Sequence, residues 1–568
     1  MIRNYLTFSF RHLKRSKTFS IINLSGLVLG MACSLIIYLW VQDERRIDNF
    51  HKHGDNLYRV YVRTIVGDQV HADYNSPALL PEALKEEIPE VEHASGFAKI
   101  LRLSQQGDTY ESFQTGDIIH KMRGSRGGKD FFLMFSYPLI AGNAATALSD
   151  PDGVAISRKM ANLFFGSPEK AFGSTLTFSS ESESREVTVK AVFEDVPSYS
   201  SDQFDYLTNW DHWVANDDFK KYWGHFGTYT YIQLQDGSDP SLVEQKLERF
   251  MDKFLDITPG KGPQLNLGLQ KYGDQYLYGI FENGRPAAGR ITYLNSLTVV
   301  AIFILIIACV NFMNLSTASS LKRCREVGIR KAAGAHRWNL IAQFIGESFL
   351  LALAAIILSL MLAQIVLPWF NTLTEKHLVL PLYDLSFLLK VLFLLTATGI
   401  AAGSYPAYFL SAFKPSQALK GTTKFSARTT GFGKALVVFQ FALSILLVIV
   451  TIVVSLQTSF MRNKDTGYDG ENVLCMRLEG ALIKNYKTFK KEAMRLAGIQ
   501  YVDRSSQTPH AMGFSGQFVR WEGMDPDHPV RFIPNSVGFD YVKLLGLKVA
   551  EGRDFSEDFP VDTTNFVV

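Results

Sequence analysis

Residues 321–335, LKRCREVGIRKAAGA, form a compact basic segment clamped between two long, almost uncharged runs. Residues 291–321 carry no charge in 31 positions, and residues 340–369 carry only Glu347. A bilayer crossing needs about 20 apolar residues, so each run is long enough to span. Residues 21–41, 391–413 and 435–457 are three more such runs. All exceed the ~10–14 residues of a typical buried core helix, and they contain the Gly, Ser and Thr of packed membrane helices. The sequence therefore predicts a polytopic α-helical membrane protein with five transmembrane helices. The composition, 47 % hydrophobic and 20 % charged, looks ordinary only because large polar domains dilute the spans.

Lys and Arg collect on the cytoplasmic side of membrane proteins, and their distribution here sets the topology. The first 18 residues hold Arg3, Arg11, Lys14, Arg15 and Lys17 with no acid. Residues 322–339 hold Lys322, Arg323, Arg325, Arg330, Lys331 and Arg337 against Glu326 alone, and residues 414–434 hold five cations against no acid. These segments share the cytosolic side. Residues 42–290, a hairpin near 370–390 and the chain from Thr458 then lie outside. The basic leader runs into Trp40 and a charged QDERR without a small-residue cleavage site, so the first span reads as a retained anchor. Ile2, Tyr5, Leu6, Phe10 and Leu13 give the leader a loose amphipathic stripe suited to the membrane surface. A basic flank that only fixes topology fits equally well.

The outer 249 residues alternate strand-like pieces, residues 57–66 and 186–193, with helical ones, residues 81–88 and 157–165, which predicts an α+β domain. Its aromatic group of Trp210, Trp213, Tyr222, Trp223, Phe226, Tyr229 and Tyr231 reads as core rather than as a ligand surface. Signals for chemistry are weak. Residues 124–130, GSRGGKD, have one residue too few for a phosphate loop and Asp130 where Ser or Thr should hold magnesium, so they read as a plain loop. His51 and His53 lack a convergent third ligand and read as solvated. Cys33 and Cys309 fall inside spans, Cys324 in the cytosolic loop and Cys475 outside, so no pair shares an oxidising compartment and no disulfide framework or metal site is implied. No catalytic residue, cofactor or nucleic-acid partner is expected, and any ATP hydrolysis falls to a partner subunit.

A weak internal repeat aligns residues 130–142, DFFLMFSYPLIAG, with residues 540–552, DYVKLLGLKVAEG, each downstream of a span that leaves the cytoplasm. The chain restarts its plan, and the second copy reads as incomplete.

Arg325, Glu326, Val327, Gly328, Ile329, Arg330, Lys331, Ala332, Gly334 and Ala335 resemble the R-E-hydrophobic-G-x-R-K-A-x-G-A signature of the FtsX-like permease domain. Gln343, Phe344, Glu347 and Ser348 resemble the Q-F-x-x-E-S start of its next span. Pro406 and Ala407, then Lys414, Pro415, Ala418, Leu419, Lys420 and Gly421, resemble the family's P-A and P-x-x-A-L-K-G ending. Residues 154–166 and 193–207 resemble the MacB-type periplasmic core domain. The resemblance implies the permease subunit of an ABC transporter of the MacB and lipoprotein-release kind in a bacterial inner membrane. A separate cytosolic ABC ATPase would drive outer domains that export a substrate or extract it from the envelope. Implied partners are that ATPase, a second permease in a homo- or heterodimer, membrane lipid, and a periplasmic adaptor or outer-membrane protein. An FtsX-type regulator of cell-wall hydrolases, or a sensor or scaffold without transport, is the alternative. The family's duplicated form has eight spans, against five expected here.

The expected organisation is a cytosolic N-terminus at 1–18, a first helix at 19–41 and a periplasmic MacB-like domain at 42–290. An FtsX-like domain follows at 291–413 with its coupling loop at 322–339, then a linker at 414–434, a fifth helix at 435–457 and an incomplete second outer domain at 458–568. The ATPase-coupling candidates are Arg323, Arg325, Glu326, Gly328, Arg330, Lys331, Gly334 and Ala335. Glu326 and Arg330 stand four apart and pair on a short helix, and Gly334 suits its C-terminal stop. Glu347, two turns into the third span, is expensive there unless paired or near the interface; bracing by Arg330 or Arg337 and an idle position at headgroup depth fit equally well. Pro406 is expected to kink the fourth span.

Overall fold

The computed structural model describes residues 17–99, 110–180, 184–255, 264–321, 324–333, 336–411, 427–476, 478, 481–509, 517–518, 523, 531–532 and 535–563. The chain divides into a membrane unit, Met1–Arg45 with Ile291–Asn463, and a polar unit, Arg46–Arg290 with Lys464–Val568. The N-terminal amphipathic stripe and most of the 414–434 linker lie outside the described residues.

Each run predicted to span is a helix: α1 (Lys17–Arg45), α8 (Arg290–Leu321), α10 (Arg337–Thr374), α11 (Leu385–Ser411) and α12 (Ala427–Asn463). Four of them are long and apolar enough to cross a membrane, while the apolar stretch of α11 among the described residues, Leu385–Ala401, is shorter. The expectation of five transmembrane helices is corrected to that extent. The backbone of α11 stays helical for five residues past Pro406, to Ser411.

Helices α1, α8, α10 and α11 form a bundle around Leu27, Met31, Ala308, Phe312, Ala352, Ala355, Ile356 and Leu395. Lipid gives helices little hydrophobic reason to associate, so small residues and buried polar contacts must do it. A Cβ on Gly30 would stand 2.5 Å from Ala308 Cβ, and one on Gly403 would stand 2.9 Å from Ser348 Cβ. Ser34 Oγ donates to the Ala301 carbonyl at 2.9 Å, and Ser359 Oγ to the Val28 carbonyl at 3.0 Å. At one end of the bundle Lys376 Nζ meets Asp43 at 3.2 Å and Glu44 at 2.8 Å. The end of α1 and the turn after α10 are thus on one side, as their charge pattern requires. Only 6 % of the apolar window of α12 is buried, against 50 % for α1, so α12 stands apart from this bundle.

The polar unit begins with β1 (Leu57–Val66), β2 (Gln69–Asp73), β3 (Ser76–Pro77), α2 (Leu80–Glu87) and β4 (Val91–Lys99). An excursion follows through β5 (Tyr110–Thr115), β6 (Ile118–Gly127), α3 (Phe131–Met134), β7 (Leu139–Gly142), β8 (Gly153–Ser157), α4 (Arg158–Phe165), α5 (Pro168–Ala171), β9 (Thr175–Ser179), β10 (Ser184–Phe193), β11 (Tyr206–Asn209) and α6 (Trp210–Ala215). The chain returns with β12 (Phe226–Leu234), α7 (Pro240–Leu247), β13 (Gln264–Lys271) and the hairpin β14 (Ile280–Glu282) and β15 (Arg285–Ala288).

The main sheet runs β11-β8-β10-β9-β5-β6-β4-β12-β1-β13. Strands β4, β12, β1 and β13, all antiparallel, with α2 and α7 between them in sequence, make a split βαββαβ lobe. Side chains alternate across a strand, so Tyr58, Val60 and Val62 of β1 share one face and pack with Leu80 and Leu84 of α2 and Val243 and Leu247 of α7. The excursion closes a second lobe around Phe113, Ile156, Met160, Phe164, Phe178 and Val187. Phe97, Phe131, Phe135, Tyr137, Phe193, Phe204, Tyr231 and Tyr272 form an aromatic core of their own.

Two expectations for this unit are corrected. Residues 124–127 are not loop but the buried end of β6, because Gly124 passes under the Tyr206 ring, where a Cβ would lie 2.2 Å from a ring carbon. The aromatic group does not form one cluster: Trp210 and Tyr231 are buried in different cores and Tyr222 is exposed. Gly124→Ala forces the ring to move. It is expected to cost about 1–3 kcal/mol, seen as a lower calorimetric melting temperature of the polar unit in the solubilised chain.

The internal repeat is structural. Asp130 precedes α3 with φ −87° and ψ 0°, and Asp540 precedes Tyr541–Leu544 with φ −101° and ψ 2°. Each carboxylate pairs with a lysine from an earlier helix, Lys85 in one copy and Lys490, at 2.6 Å, in the other. The Gly128 amide donates to Gly96 O at 3.1 Å, and the Gly538 amide to Arg504 O at 2.9 Å.

Candidate coupling site

The basic segment between α8 and α10 contains a short helix, α9 (Cys324–Ala332), continued by the Ala333 amide donating to Ile329 O at 3.0 Å. Arg323, Gly334 and Ala335 lie outside the described residues, as do the side chains of Arg325 and Glu326 and the surroundings of Gly328. The expected Glu326–Arg330 pair and the Gly334 stop therefore fall outside the described residues as well. Val327, Ile329, Arg330 and Lys331 carry the geometry.

Among the described side chains of α9, Val327 is the inward one. It is buried against Leu340 and Phe344 of α10 and Ala407 of α11, with Ile341 and Ile345 at the margin. Ile329, two positions on, is 54 % exposed, as helical spacing dictates for the opposite face. Arg330 Nη1 donates to Gln343 Oε1 at 2.8 Å, and Gln343 Nε2 donates to Glu347 Oε1 at 3.0 Å. Gln343 and Glu347 are four apart on α10, so they lie one above the other on the same helix face. Gln343 thus links Arg330 to Glu347, the two residues between which a brace was one expectation. Desolvation, reinforced by the neighbouring Arg337 charge, holds the Lys331 ammonium below its ordinary value. Trp338, 76 % exposed in the first turn of α10, lies beside this segment in sequence.

This arrangement can do one thing mechanically. A helix fixed by an apolar peg and a charged tether cannot shift without moving α10 and α11. Among the described residues, no group of His, Cys, Asp and Glu could hold a metal. Sequence reasoning quoted Val327, Gln343 and Phe344 only as parts of a motif. The signal for Gln343 is a polar residue placed a turn before Glu347 in an apolar run.

His51, expected to be solvated, is buried instead. Its ring packs with Phe50, Phe135, Tyr137 and Tyr272, and Nδ1 accepts the Ser136 amide at 3.2 Å. His53 is exposed.

The family described as MacB-like periplasmic core domain matches residues 20–250, and the FtsX-like permease C-terminal family matches residues 298–417. The chain thus carries a MacB-like periplasmic core domain and an FtsX-like permease C-terminal domain. Its curated relatives include the macrolide export ATP-binding/permease protein MacB of Campylobacter jejuni subsp. jejuni strain 81-176, 34 % identical over 122 residues, 21 % of this chain and 18 % of the relative. MacB of Shigella flexneri is 27 % identical over 192 residues, 33 % of this chain and 26 % of the relative. The permease thus matches about a quarter or less of the length of these relatives. Among solved structures, a domain of a putative permease protein from Porphyromonas gingivalis is 22 % identical, with TM-score 0.33, covering 43 % of this chain and 98 % of that one. The extracellular domain of the ABC-type transporter YknZ from Gram-positive bacteria is 11 % identical, with TM-score 0.26, covering 38 % and 100 %. The permease's α9 falls inside the FtsX-like match, and β1 to β12 fall inside the MacB-like match.

Proposed function

We propose that this chain is the permease subunit of an ABC transporter in which a separate cytosolic ATPase moves outer domains to export a substrate or extract it from the envelope. The observation that carries this reading is α9, pegged by Val327 to α10 and α11 and tethered by Arg330 through Gln343 to Glu347. Such a helix is a lever with one face on the bundle and another, bearing Ile329, turned outward. In this reading the basic loops are cytosolic, and 42–290 and 464–568 project from the other side of the inner membrane. The partners are the ATPase, a second permease, lipid, and an adaptor or outer-membrane protein. The coupling set includes Arg323, Arg325, Glu326, Gly328, Gly334 and Ala335 together with Arg330 and Lys331.

Purification of the detergent-solubilised chain with its candidate ATPase tests the partner. Wild type is expected to retain the ATPase. Ile329→Asp is expected to weaken binding at least ~10-fold, about 1.4 kcal/mol, without lowering the melting temperature. A wild type that binds no ATPase, and instead activates a cell-wall hydrolase, would favour the FtsX-type regulator.

The tether has its own test. Gln343→Leu leaves the Arg330 guanidinium and the Glu347 carboxylate without their shared amide. Losing hydrogen bonds to charged groups is expected to cost about 1.5–3 kcal/mol, read as faster hydrogen exchange across residues 324–333.

A further inference from the structure

Loop residues 197–203 join β10 to β11 and touch three distant parts of the polar unit. The first is the segment just after α1. The Asp48 amide donates to Tyr199 O at 3.0 Å, and the Arg46 guanidinium lies 5.0 Å from the Tyr199 ring centroid. The Asp48 carboxylate accepts the Ser201 amide at 2.7 Å and the Ser201 hydroxyl at 2.5 Å. The second is the segment after β13, leading towards α8. Gln275 Nε2 donates to Asp48 Oδ2 at 3.2 Å and lies 3.4 Å from Ser201 Oγ, while Tyr272 Oη donates to Asp202 Oδ2 at 3.3 Å. The third is the segment after α3, where Tyr137 Oη and Ser200 Oγ are 3.1 Å apart.

The loop is stiffened from within. Gln203 Nε2 donates to Pro197 O at 2.7 Å and to Ser200 O at 2.9 Å, and Ser200 Oγ donates to Asp202 O at 2.9 Å. Gln275 is held in turn by Arg59, whose Nη1 donates to its Oε1 at 3.1 Å. Asp48 is 1 % exposed and sits at φ +62°, a left-handed conformation that Asp and Asn tolerate better than most side chains. A buried carboxylate in that conformation persists only where its surroundings hold it.

Asp48 lies three residues beyond the end of α1, and Gln275 fifteen before the start of α8. We propose that loop 197–203 is a clasp joining the two chain ends through which the polar unit is covalently attached to α1 and α8, with Asp48 as its positioning residue. Clasped, the two ends move together, so displacement of either helix reaches the whole domain rather than one strand. The clasp itself stands on the contacts above. Its use in transmission rests on the transporter reading.

Hydrogen exchange on the full-length chain in detergent, followed by mass spectrometry, tests the clasp. Asp48→Ala is expected to speed exchange at least ~10-fold in residues 46–56, 197–203 and 272–279 together, and Asp48→Asn to restore wild-type rates, because it keeps one acceptor and the left-handed backbone. Faster exchange confined to residues around 48, or no rescue by Asn, overturns the clasp. The transmission step is read with the ATPase bound in nanodiscs, from an ATP-driven distance change between probes on the polar unit and α10. If wild type shows the change and Asp48→Ala keeps ATP hydrolysis but loses it, the clasp transmits. If Asp48→Ala moves like wild type, the transmission role is wrong. If wild type itself does not move, the transporter reading fails while the exchange result still judges the clasp.

Discussion

In the proposed transporter reading, Val327→Asp is expected to uncouple the chain from its ATPase. Val327 is 4 % exposed and packs in an apolar contact with Leu340, Phe344 and Ala407. An unpaired buried carboxylate costs several kcal/mol, more than one short helix gains from one peg, so α9 leaves α10 and α11. Stimulation of ATP turnover by the permease is expected to fall at least ~10-fold, whereas Val327→Ile, which nearly conserves shape, should keep most of it. Turnover measured with ATPase and permease in one membrane decides this. Unchanged turnover with Val327→Asp, in a protein whose polar unit melts as wild type does, would mean that the peg does not carry coupling.

The second large effect concerns acid. Burial pushes the Asp48 carboxyl up from 3.8 to about 6, against the lowering contacts of Ser201 and Gln275, and pushes the His51 imidazole down from 6.5 to about 4. Asp202 is the charge that acts on both, and Arg59, Arg46, Tyr137 and Tyr272 surround them. The signs oppose. A carboxyl raised in the fold adds stability below its unfolded value that is lost as pH rises through about 6. An imidazole lowered in the fold adds stability above 6.5 that is lost as pH falls through about 4. Each gap corresponds to about 3 kcal/mol, so between pH 7 and 4 the two nearly cancel. Asp48→Asn removes one side of the balance and should leave the polar unit about 3 kcal/mol less stable at pH 4 than at pH 7, relative to wild type. His51→Phe should do the reverse and gain stability on acidification. Melting curves of the full chain across that range check both, and parallel profiles for the two variants would contradict the assignment.

Much of the molecule was legible in the sequence because its strongest signals are local. Uncharged runs as long as residues 291–321 admit few readings, and the strand-like residues 57–66 match the bounds of β1. Residues 157–165 read as helical, and Ser157 caps that helix, its Oγ accepting the Met160 amide at 3.1 Å. What stayed hidden depends on distant residues. GSRGGKD reads as a loop until Tyr206, some eighty positions on, lays its ring over Gly124. His51 reads as solvated until Phe135, Tyr137 and Tyr272 close round it. At the candidate coupling site, Glu347 was legible as an intramembrane carboxylate in an apolar run. That Gln343 relays it to Arg330 follows from how α9 folds back on α10, which no spacing rule states.

The central claim is that ATP hydrolysis in the cytosol moves the outer domain through α9, and one distance measurement tests it most directly. Spin labels at Asp117→Cys, in the β5–β6 turn, and Ser386→Cys, at the start of α11, are placed in a chain whose native cysteines are replaced, with the ATPase bound in nanodiscs. A distance distribution that shifts on trapping the ATP-bound state, and stays fixed in Val327→Asp, is the predicted result. A distribution identical with and without ATP in wild type, while the bound ATPase turns over normally, would contradict it.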